Sequence, residues 1–456
     1  MAVHRESKAS ASPDRAIAPA KIIVLDDDPT GSQTVHSCLL LLQWDVETLL
    51  LGLADESPLL FVLTNTRSLS PAKAAAVTRQ VCVNLKQAIA AAGIEEFLVV
   101  SRSDSTLRGH YPLETDIIAA ALGPFDAHFL VPAFLEGGRF TRNSVHYLLA
   151  DGVEIPVHTT EFARDSAFAY RHSYLPDYVA EKTNGKISAE SVERLLLDEI
   201  RAGCLERLME LSNNQCGVVD AECSADLDRL ARDLLAATAR GKRFLFRSAA
   251  SLISALAALP PQPVAAEDMS QYVRGGQPGA AIVGSHVKQT TQQLERLLQE
   301  AGVAGIEVNV ARLLKQGEGD RHTLLQATLD AVCAAYRSGK TPVVYTSREE
   351  LTFASLPTRL QFGARVSALL VDVVRGLPRD LGFLISKGGI TSNSILRDGL
   401  DLRAVRLLGQ ILAGCSVVRT PQEHPLFPHL PVVLFPGNVG DRDALATVYR
   451  RLSHSS

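Results

Sequence analysis

The chain has 456 residues, with 46 Lys or Arg against 50 Asp or Glu, so its formal net charge is −4. Apolar residues make up 46% and charged residues 21%, a balance that is typical of folded proteins and excludes a disordered chain. The slight acidity argues against a nucleic-acid-binding protein, whose contact face is strongly basic. No apolar run is long enough for a transmembrane helix. We therefore expect a globular protein that has neither nucleic acid nor membrane as a partner.

Residues 1–20 combine Ala, Ser and Pro with scattered charges and lack the apolar stretch of a secretory signal, so we predict a disordered tail. The seven cysteines include no C-x-x-C pair. The twelve histidines show no H-x-H or H-E-x-x-H spacing. Together these patterns predict reduced thiols in a cytoplasmic protein, and no metal site built by protein side chains alone.

Short apolar runs alternate with amphipathic stretches along the chain, which is the pattern of parallel α/β domains. In the first half, we predict strands at Ile22–Leu25, Phe61–Leu63, Phe97–Val100, Phe129–Val131, Val218–Val219 and Phe244–Phe246, and helices at Pro71–Ala91 and Ala189–Leu211. In the second half, we predict strands at Ala280–Val283, Ile306–Val310, Pro342–Tyr345, Phe383–Ile385 and Pro431–Leu434, and helices at Thr290–Glu300 and His322–Arg337.

A stretch rich in Pro, Gly and polar residues at 259–279 separates the two halves and is predicted to be a linker. The sequence therefore predicts two α/β domains with mainly parallel sheets, at residues 21–258 and 280–452, with the active site in the cleft between them.

Polar side chains follow four successive strands of the first predicted domain. The segments in question are Asp26-Asp27-Asp28-Pro29-Thr30-Gly31, Thr64-Asn65-Thr66-Arg67, Asp104-Ser105-Thr106-Leu107-Arg108-Gly109 and Gly138-Arg139. Because the carboxyl ends of parallel strands meet at one edge of a sheet, we expect these groups to form one polar pocket. Each Asp, Ser or Thr could alternatively just cap a helix. Three adjacent carboxylates repel each other, however, and need a ligand, cation or Arg nearby.

One interpretation of Asp26-x-Asp28-x-Thr30 is a phosphatase of the haloacid-dehalogenase type, with Asp26 as the nucleophile and Asp28 as the acid/base. Thr64 and Asp441 would then be further members of the site. Thr64 follows too soon after the first strand for that fold, and Asp441 falls in the other predicted domain. The phosphatase stays open as an alternative.

The second predicted domain contains three glycine-rich turns directly after strands. They are Gly284-Ser285, Lys387-Gly388-Gly389-Ile390-Thr391 and Pro436-Gly437-Asn438. Backbone N–H groups at such turns, and at the helix starts that follow them, bind anions. A single glycine turn often only reverses the chain. Three turns in one domain predict a nucleotide pocket.

Taken together, these motifs make the chain resemble the four-carbon acid sugar kinase family, from about residue 21 to residue 451. The D-S-T-L-R-G string at Asp104–Gly109 is the most specific of them. The resemblance implies an N-terminal sugar-acid-binding domain and a C-terminal nucleotide-binding domain. It implies phosphorylation of a small sugar acid, such as a threonate, an erythronate or a 3-oxo-tetronate, with ATP and Mg²⁺. It implies ATP contacts at Ser285, Gly388, Gly389, Ile390, Thr391 and Gly437.

The chain departs from the family pattern at three places. Ser101-Arg102-Ser103 precedes the D-S-T-L-R-G string where the family usually has Lys-Lys-Ile. His110-Tyr111-Pro112 follows it where Asn-Ile-Gly is common, and Ile390 replaces the usual Glu. The reaction class therefore transfers to this chain better than the identity of the substrate does.

Phosphoryl transfer needs positioned charges and a group that accepts the hydroxyl proton. We predict that Arg67, Arg108 and Arg139 clamp the substrate carboxylate, because a guanidinium matches a carboxylate at two points. Either Asp27 or Asp104 is predicted to accept the proton, while Mg²⁺ is carried mainly by ATP. The remaining residues of the predicted substrate pocket are Asp28, Thr30 and Ser105. A non-catalytic sensor of sugar acid and nucleotide stays open as a second alternative, and a homodimer as one oligomeric state.

Overall fold

A computed structural model of the chain describes residues 20–32, 34–150, 152–314, 318–348, 356–437 and 439–453. Apart from Ala20, the predicted tail lies outside the described residues, and so does Asn438. The strands are β1 Lys21–Asp26, β2 Leu39–Leu41, β3 Leu59–Leu63, β4 Phe97–Arg102, β5 Ala127–Val131, β6 Arg139–Arg142, β7 Val145–Ala150, β8 Val153–Pro156, β9 Glu193–Leu195, β10 Gln215–Val219, β11 Phe244–Ser248, β12 Ala280–Val283, β13 Val303–Val308, β14 Thr341–Thr346, β15 Leu384–Lys387, β16 Ala404–Leu412, β17 Cys415–Arg419 and β18 Pro431–Phe435. The helices are α1 Val46–Ala54, α2 Pro71–Ala92, α3 Leu113–Leu122, α4 Leu175–Lys182, α5 Leu197–Ala202, α6 Leu205–Glu210, α7 Ser224–Thr238, α8 Ala250–Ala257, α9 Lys288–Leu297, α10 Glu318–Arg337, α11 Leu356–Arg375, α12 Gly389–Ser394 and α13 Ala444–Ser453.

The continuous apolar runs form strands that are covered on both faces. Every residue of β1, β3, β5 and β18 is buried, as expected for a parallel sheet between two helix layers. Helix α2 confirms the predicted helix at Pro71–Ala91. It begins with Pro71 in its first turn and ends at Gly93, whose φ of 64° is the left-handed conformation that glycine adopts without strain.

The sheet of the first domain is parallel throughout, in the order β2-β3-β1-β4-β11-β5-β10-β9. Asp26, at the end of β1, is paired in register with Leu63 of β3 and with Arg102 of β4. The polar segments that follow these strands therefore emerge side by side at one edge of the sheet, as the sequence predicts.

A small antiparallel sheet, β6-β7-β8, lies at this same edge and is absent from the sequence-based prediction. It is joined to the main sheet by two backbone hydrogen bonds between Thr141 and Ala221, just after β10. The buried ring of His146 on β7 contacts the carbonyl of Ser105 at 2.8 Å through Nε2 and the hydroxyl of Thr141 at 2.9 Å through Nδ1. These contacts place Arg139, the first residue of β6, beside the loop that carries Asp104.

The second domain has five parallel strands in the order β13-β14-β12-β15-β18, followed by antiparallel β17 and β16. Strand β16 then pairs antiparallel with β2 of the first domain, so both domains share one 15-stranded sheet. An ion pair between Arg406 and Asp55, at 2.5 Å, reinforces this join. Because three successive pairings are antiparallel, the parallel strands of the two domains run in opposite directions.

The stretch at 259–279 is packed against the second domain rather than extended between the two. Met269 in its middle is fully buried, and the backbone N–H of Arg274 donates to the carbonyl of Gly382. Gln262 donates to the carbonyl of Gln410 on β16. The two domains are therefore connected by the shared sheet as well as by this segment.

The predicted helix at Ala189–Leu211 is wrong. In its place are a short 3₁₀ turn, the edge strand β9 and the two short helices α5 and α6. Glu193 pairs with Gly217 of β10, and Gly203, with a φ of 112°, separates the two helices. Sheet pairing and a glycine break therefore override the helical pattern of the sequence.

Among the described residues, none of the helices combines the length and apolar character needed to cross a membrane.

Candidate active site

Asp26 is the innermost carboxylate at the end of β1 and is only 1% exposed. Its Oδ1 lies 3.4 Å from Nη1 of Arg102, whereas its buried Oδ2 has no hydrogen-bond partner. Burial raises the pKa of Asp26 to about 7, with Asp27 and Asp28 contributing. Gly31 packs directly on this carboxylate, because a Cβ there would be 2.1 Å from Oδ1. Asp26 is therefore a supporting group behind the pocket.

Asp27 and Arg67 form a two-point ion pair. Nη2 of Arg67 lies 2.5 Å from Oδ1 of Asp27, and Nε lies 3.2 Å from Oδ2. The hydroxyl of Ser103 donates to Oδ2 at 3.1 Å. The side chain of Asp27 is 2% exposed and that of Arg67 is 17% exposed. This contact links the carboxyl ends of β1 and β3.

Asp28 also contacts Arg67, with Oδ2 at 3.0 Å from Nη1. Its Oδ1 accepts hydrogen bonds from the backbone N–H of Thr30 at 2.7 Å and from the Thr30 hydroxyl at 2.6 Å. Burial acts to raise the pKa of Asp28, but the charges of Arg67 and Arg102 outweigh it and the pKa is lowered. The structure thus brings the predicted residues Asp28, Thr30 and Arg67 together in one hydrogen-bonded group.

Asp104 lies at the start of the D-S-T-L-R-G loop and is 13% exposed at its side chain. Its Oδ2 accepts from Nε of Arg108 at 2.7 Å and from the hydroxyl of Thr106, and its Oδ1 is 3.9 Å from Arg67. Burial acts to raise the pKa of Asp104, but Arg67 and Arg108 hold it well below its ordinary value. Asp104 is therefore ionised at neutral pH and is more accessible than Asp27. Ser105 beside it is buried.

Arg139 differs from the other predicted arginines because no carboxylate forms an ion pair with it among the described residues. Its Nη1 donates to the carbonyl of Gly137, and its guanidinium lies 6.0 Å above the ring of Phe134. Its buried Nε has no hydrogen-bond partner. Burial lowers the pKa of Arg139, while the charges of Asp104 and Arg108 act on it in opposite directions. Arg108, in contrast, contacts both Asp104 and Asp165.

Several supporting residues are missing from the sequence-based prediction. Arg247, at the end of β11, forms a buried ion pair with Glu114 at 2.7 Å and donates to the hydroxyl of Ser101. A Cβ at Gly109, whose φ is 127°, would lie 2.5 Å from Nη2 of Arg247. The strand-end rule that identified Arg67 could also have identified Arg102 and Arg247.

The departures from the family pattern have structural roles here. The ring of His110 contacts the carbonyls of Thr66 and Leu69, both at 3.1 Å through Nε2. Tyr111 is buried and stacks on Tyr178. The residues that replace Asn-Ile-Gly therefore stabilise the backbone around Arg67 by hydrogen bonds and contribute to the hydrophobic core.

In the second domain, the three glycine turns converge on Ser285. The hydroxyl of Thr290 donates to the carbonyl of Gly437 at 2.9 Å and lies 3.2 Å from Oγ of Ser285. A Cβ on Gly388 would be 3.1 Å from Cβ of Ser285, and one on Gly437 would be 3.0 Å from its Oγ. Thr391 packs beside them, since a Cβ on Gly284 would meet its Oγ1 at 2.3 Å.

Gly389 and Ile390, which start helix α12, lie at the open side of these turns. A Cβ on Gly389 would meet nothing within 4 Å, and Ile390 is 72% exposed.

Arg348 is a further residue that the sequence-based prediction lacks. It donates to the carbonyl of Ser285 and, at 3.4 Å, to that of Val283. Its guanidinium therefore stabilises the backbone of the first glycine turn through these hydrogen bonds.

A cleft of about 410 Å³ opens between the two domains. The first domain contributes Thr64 and Asn65 after β3, and the second contributes Asn393 of α12 and Arg397 beyond it. The helix that begins at the second glycine turn thus faces the strand end that precedes Arg67.

Asp441, which the phosphatase alternative includes in its site, follows β18. Five strand spacings separate β18 from β1, or about 24 Å, so the structure does not bring Asp441 to Asp26.

The acidic cluster fits arginines rather than a metal ion. Asp27, Asp28 and Asp104 each contact Arg67. Among the described residues, Oδ2 of Asp26 is the one carboxylate oxygen of the cluster formed by Asp26, Asp27, Asp28 and Asp104 that is buried without a hydrogen-bond partner. No group of three His, Cys, Asp or Glu side chains in the described part of the chain is arranged to hold a metal ion.

Comparison with known proteins matches the two halves of the chain to two family models. Residues 22–256 match a sugar-binding N-terminal domain, and residues 280–445 match a nucleotide-binding C-terminal domain. Two solved structures share the fold along nearly the whole chain. A protein from Salmonella typhimurium LT2 has a TM-score of 0.66 at 19% identity, covering 94% of this chain and 98% of its own. One from Haemophilus influenzae has a TM-score of 0.64 at 16% identity, covering 94% and 100%.

Two curated relatives match over about half of their length. A D-erythronate kinase of Heliobacterium modesticaldum is 26% identical over 218 residues, which cover 46% of this chain and 47% of that protein. A D-threonate kinase of Bordetella bronchiseptica is 30% identical over 217 residues, covering 46% and 48%. The matched domains, their order and these relatives agree with the resemblance that the strand-end motifs carry. The chain therefore belongs to the four-carbon acid sugar kinase family, in which a sugar-binding N-terminal domain precedes a nucleotide-binding C-terminal domain.

Proposed function

We propose that this protein transfers the γ-phosphoryl group of ATP to a hydroxyl of a small sugar acid, most simply a four-carbon acid such as a threonate, an erythronate or a 3-oxo-tetronate. One observation supports this proposal above the others. Among the described residues, a cluster of paired Asp and Arg side chains at the strand ends of the first domain contains one guanidinium without a carboxylate partner, that of Arg139. The relatives named D-erythronate kinase and D-threonate kinase support the same substrate class.

Arg139 is the group best suited to receive the substrate carboxylate. Arg67 and Arg108 already have carboxylate partners at 3.0 Å or less. A second carboxylate at either position would have to compete with Asp27, Asp28 or Asp104. Burial of Arg139 without a counter-ion is unfavourable, so an incoming carboxylate gains a charge-assisted contact there. In this proposal Arg67 and Arg108 organise the acidic side chains and help to bind substrate hydroxyls.

Asp104 is the stronger of the two candidates for the proton acceptor. In the reaction, the substrate hydroxyl oxygen forms a bond to the γ-phosphorus, the bond from phosphorus to the ADP oxygen breaks, and the hydroxyl proton moves to a carboxylate. That carboxylate must touch the substrate. The side chain of Asp104 is 13% exposed, whereas that of Asp27 is 2% exposed and is held by Arg67. Asp27 then fixes Arg67, while Asp28, Thr30 and Ser105 line the pocket.

The second domain supplies the nucleotide site in this proposal. The turns at Ser285, Gly388 and Gly437 approach each other closely enough to surround phosphate groups with backbone N–H donors. Gly389, Ile390 and Thr391 form the first turn of α12, whose positive end favours an anion. Ile390 stands where the family usually has Glu, so this chain places an apolar, exposed side chain at that point. Magnesium bound to ATP would neutralise phosphate charge.

A screen for substrate-dependent ADP release tests the proposal. Purified protein, ATP and Mg²⁺ are incubated with hydroxy acids of three to six carbons, with the matching neutral sugar alcohols as controls. We expect ADP release only with an acid, and a phosphorylated product by mass spectrometry. Cleavage of p-nitrophenyl phosphate that is lost in Asp26→Asn, without any ATP turnover, would instead identify the phosphatase. Binding of acid and nucleotide without turnover would identify the sensor.

A further inference from the structure

Lys387, the last residue of β15, is a buried lysine without an acidic partner. Its side chain is 0% exposed. Its Nζ lies 2.5 Å from the carbonyl oxygen of Pro436, 3.3 Å from that of Gly437 and 4.0 Å from the centre of the Phe435 ring. No carboxylate forms an ion pair with it among the described residues. Among the described residues, the hydrogen bonds of its ammonium group are therefore with the turn that follows β18.

Stability alone does not account for a lysine at this position. Burial lowers the pKa of Lys387 to about 7, and among the described residues the titratable group that acts on it is the thiol of Cys415 on β17. Burial raises the pKa of that thiol to about 12, so it is neutral at physiological pH. An apolar side chain of similar length would fill the same space without the cost of burying an ammonium group.

The carbonyls that Lys387 contacts belong to the network around the predicted phosphate turns. Gly437 also accepts from the hydroxyl of Thr290, which lies beside Ser285. The backbone N–H of Gly388 donates to the carbonyl of Phe435 at 2.8 Å. Lys387 therefore lies next to the contacts that join the turns after β12, β15 and β18.

Peptide geometry shows what these contacts do. The carbonyl of Pro436 and the N–H of Gly437 belong to the same peptide plane, and in a trans peptide they point in opposite directions. With the carbonyl drawn inward to Lys387, the N–H of Gly437 points away from the lysine. A backbone donor held in a fixed outward direction is what an anion site requires.

We propose that Lys387 is a positioning residue for the nucleotide: it holds the carbonyls of Pro436 and Gly437, and so keeps the third glycine turn in place against Ser285. It is not itself a phosphate ligand, because its ammonium group is enclosed. This inference rests on the proposed function for its link to ATP, whereas the effect on the turns can be measured in the protein without nucleotide.

The test compares Lys387→Met with a matched control, Lys21→Met. Lys21 is also a buried lysine that donates to two carbonyls, those of Asp55 at 2.7 Å and Ser57 at 2.6 Å, but it lies at the opposite end of β1 in the first domain. Hydrogen exchange of the free protein should become faster in peptides that contain Gly437 and Ser285 for Lys387→Met, and remain unchanged there for Lys21→Met. Unchanged exchange in Lys387→Met would overturn the inference, whatever the activity.

Calorimetry and kinetics then connect the turns to the nucleotide. In Lys387→Met we expect ATP affinity to fall by about ten-fold or more, because a network contact is lost, with KM for the sugar acid unchanged. In Lys21→Met both should stay near wild type. If the turns loosen in Lys387→Met while the wild type binds no nucleotide, the proposed function fails and the positioning of the turns stands. If nucleotide affinity is unaffected while the turns loosen, the positioning inference for ATP is wrong.

A second variant covers the case in which Lys387→Met does not fold. Thr290→Val preserves the shape of a fully buried side chain and removes the hydroxyl between Gly437 and Ser285. It should also speed exchange at the Gly437 turn and weaken ATP binding, though less than Lys387→Met. Wild-type exchange and wild-type affinity in Thr290→Val would overturn the network on which the inference rests.

Discussion

Arg67 and Asp27 are joined at two points, with Nη2 2.5 Å from Oδ1 and Nε 3.2 Å from Oδ2. The sequence predicts that the guanidinium of Arg67 binds the substrate carboxylate. In the structure, the carboxylate of Asp27 takes that position. Arg139, which reaches the same edge of the sheet from β6, has no such partner among the described residues. The division of roles between the two arginines leads to the first predictions.

Replacing Arg139 by Met should impair recognition of the acid group. We expect kcat/KM for the sugar acid to fall by about 10- to 100-fold, which is the loss expected for a charge-assisted contact, with ATP affinity unchanged. The ratio of activity on the acid to activity on the neutral sugar alcohol should fall in parallel. Arg142→Met is the control, because Arg142 lies on the same strand but is paired with Glu154 and Glu222. An unchanged acid-to-alcohol ratio in Arg139→Met would contradict the assignment.

Replacing Asp104 by Asn should remove the proton acceptor while preserving the size of the side chain. We expect kcat to fall by about 10²- to 10⁴-fold, with the protein still folded by circular dichroism. A raised KM with kcat little changed would shift the base to Asp27. A lower Tm with normal kinetics in the cold would remove Asp104 from the active site.

Replacing Arg67 by Met should destabilise the protein, because Asp27 and Asp28 would lose their main cation. We expect the free energy of unfolding to fall by about 3 to 5 kcal/mol, as for a buried pair that loses one partner. The double variant with Asp27→Asn should regain part of that loss, since one uncompensated charge is removed. Chemical denaturation of the wild type, both single variants and the double variant measures this coupling. Additive effects would show that the two side chains do not interact.

Asp26 should make stability depend on pH. Its pKa is raised from 3.8 to about 7 in the folded protein, so the folded state binds more protons than the unfolded state between these values. Its contribution to stability is complete below pH 3.8 and is lost as pH rises to about 7. Asp26→Asn should therefore gain stability relative to wild type across that window, as measured by urea unfolding at pH 5 and pH 8. A stability difference that is the same at both pH values would show that Asp26 does not have a raised pKa in the folded protein.

Two neighbouring glycines should respond differently to Ala. Gly388 has a φ of 117°, and an added Cβ would lie 3.1 Å from Cβ of Ser285, so Gly388→Ala should lower both Tm and ATP affinity. Gly389 faces open space, so Gly389→Ala should leave Tm unchanged and weaken ATP binding only through contact with the phosphates. Calorimetry and thermal unfolding separate the two effects. Full ATP affinity in Gly389→Ala would place the nucleotide elsewhere.

The sequence by itself determined which residues meet at the edge of the first sheet. Asp27, Arg67 and Asp104 each follow a continuous apolar run, and such runs form buried parallel strands whose carboxyl ends coincide. The same rule located the glycine turns at Ser285 and Gly388. These predictions depend only on local pattern and on the geometry of parallel sheets. They can therefore be made without knowing the contacts between distant segments.

Only the tertiary structure decided how those groups are paired. Arg139 reaches the site because an antiparallel sheet, tied by Thr141 to Ala221, covers the strand ends. Lys387 reads in the sequence as one more residue of a glycine turn, yet the fold encloses its ammonium group under Gly437. The two domains share one sheet because β16 pairs with β2. Each of these outcomes depends on hydrogen bonds between segments far apart in the chain, and no local pattern of apolar and polar residues specifies such partners.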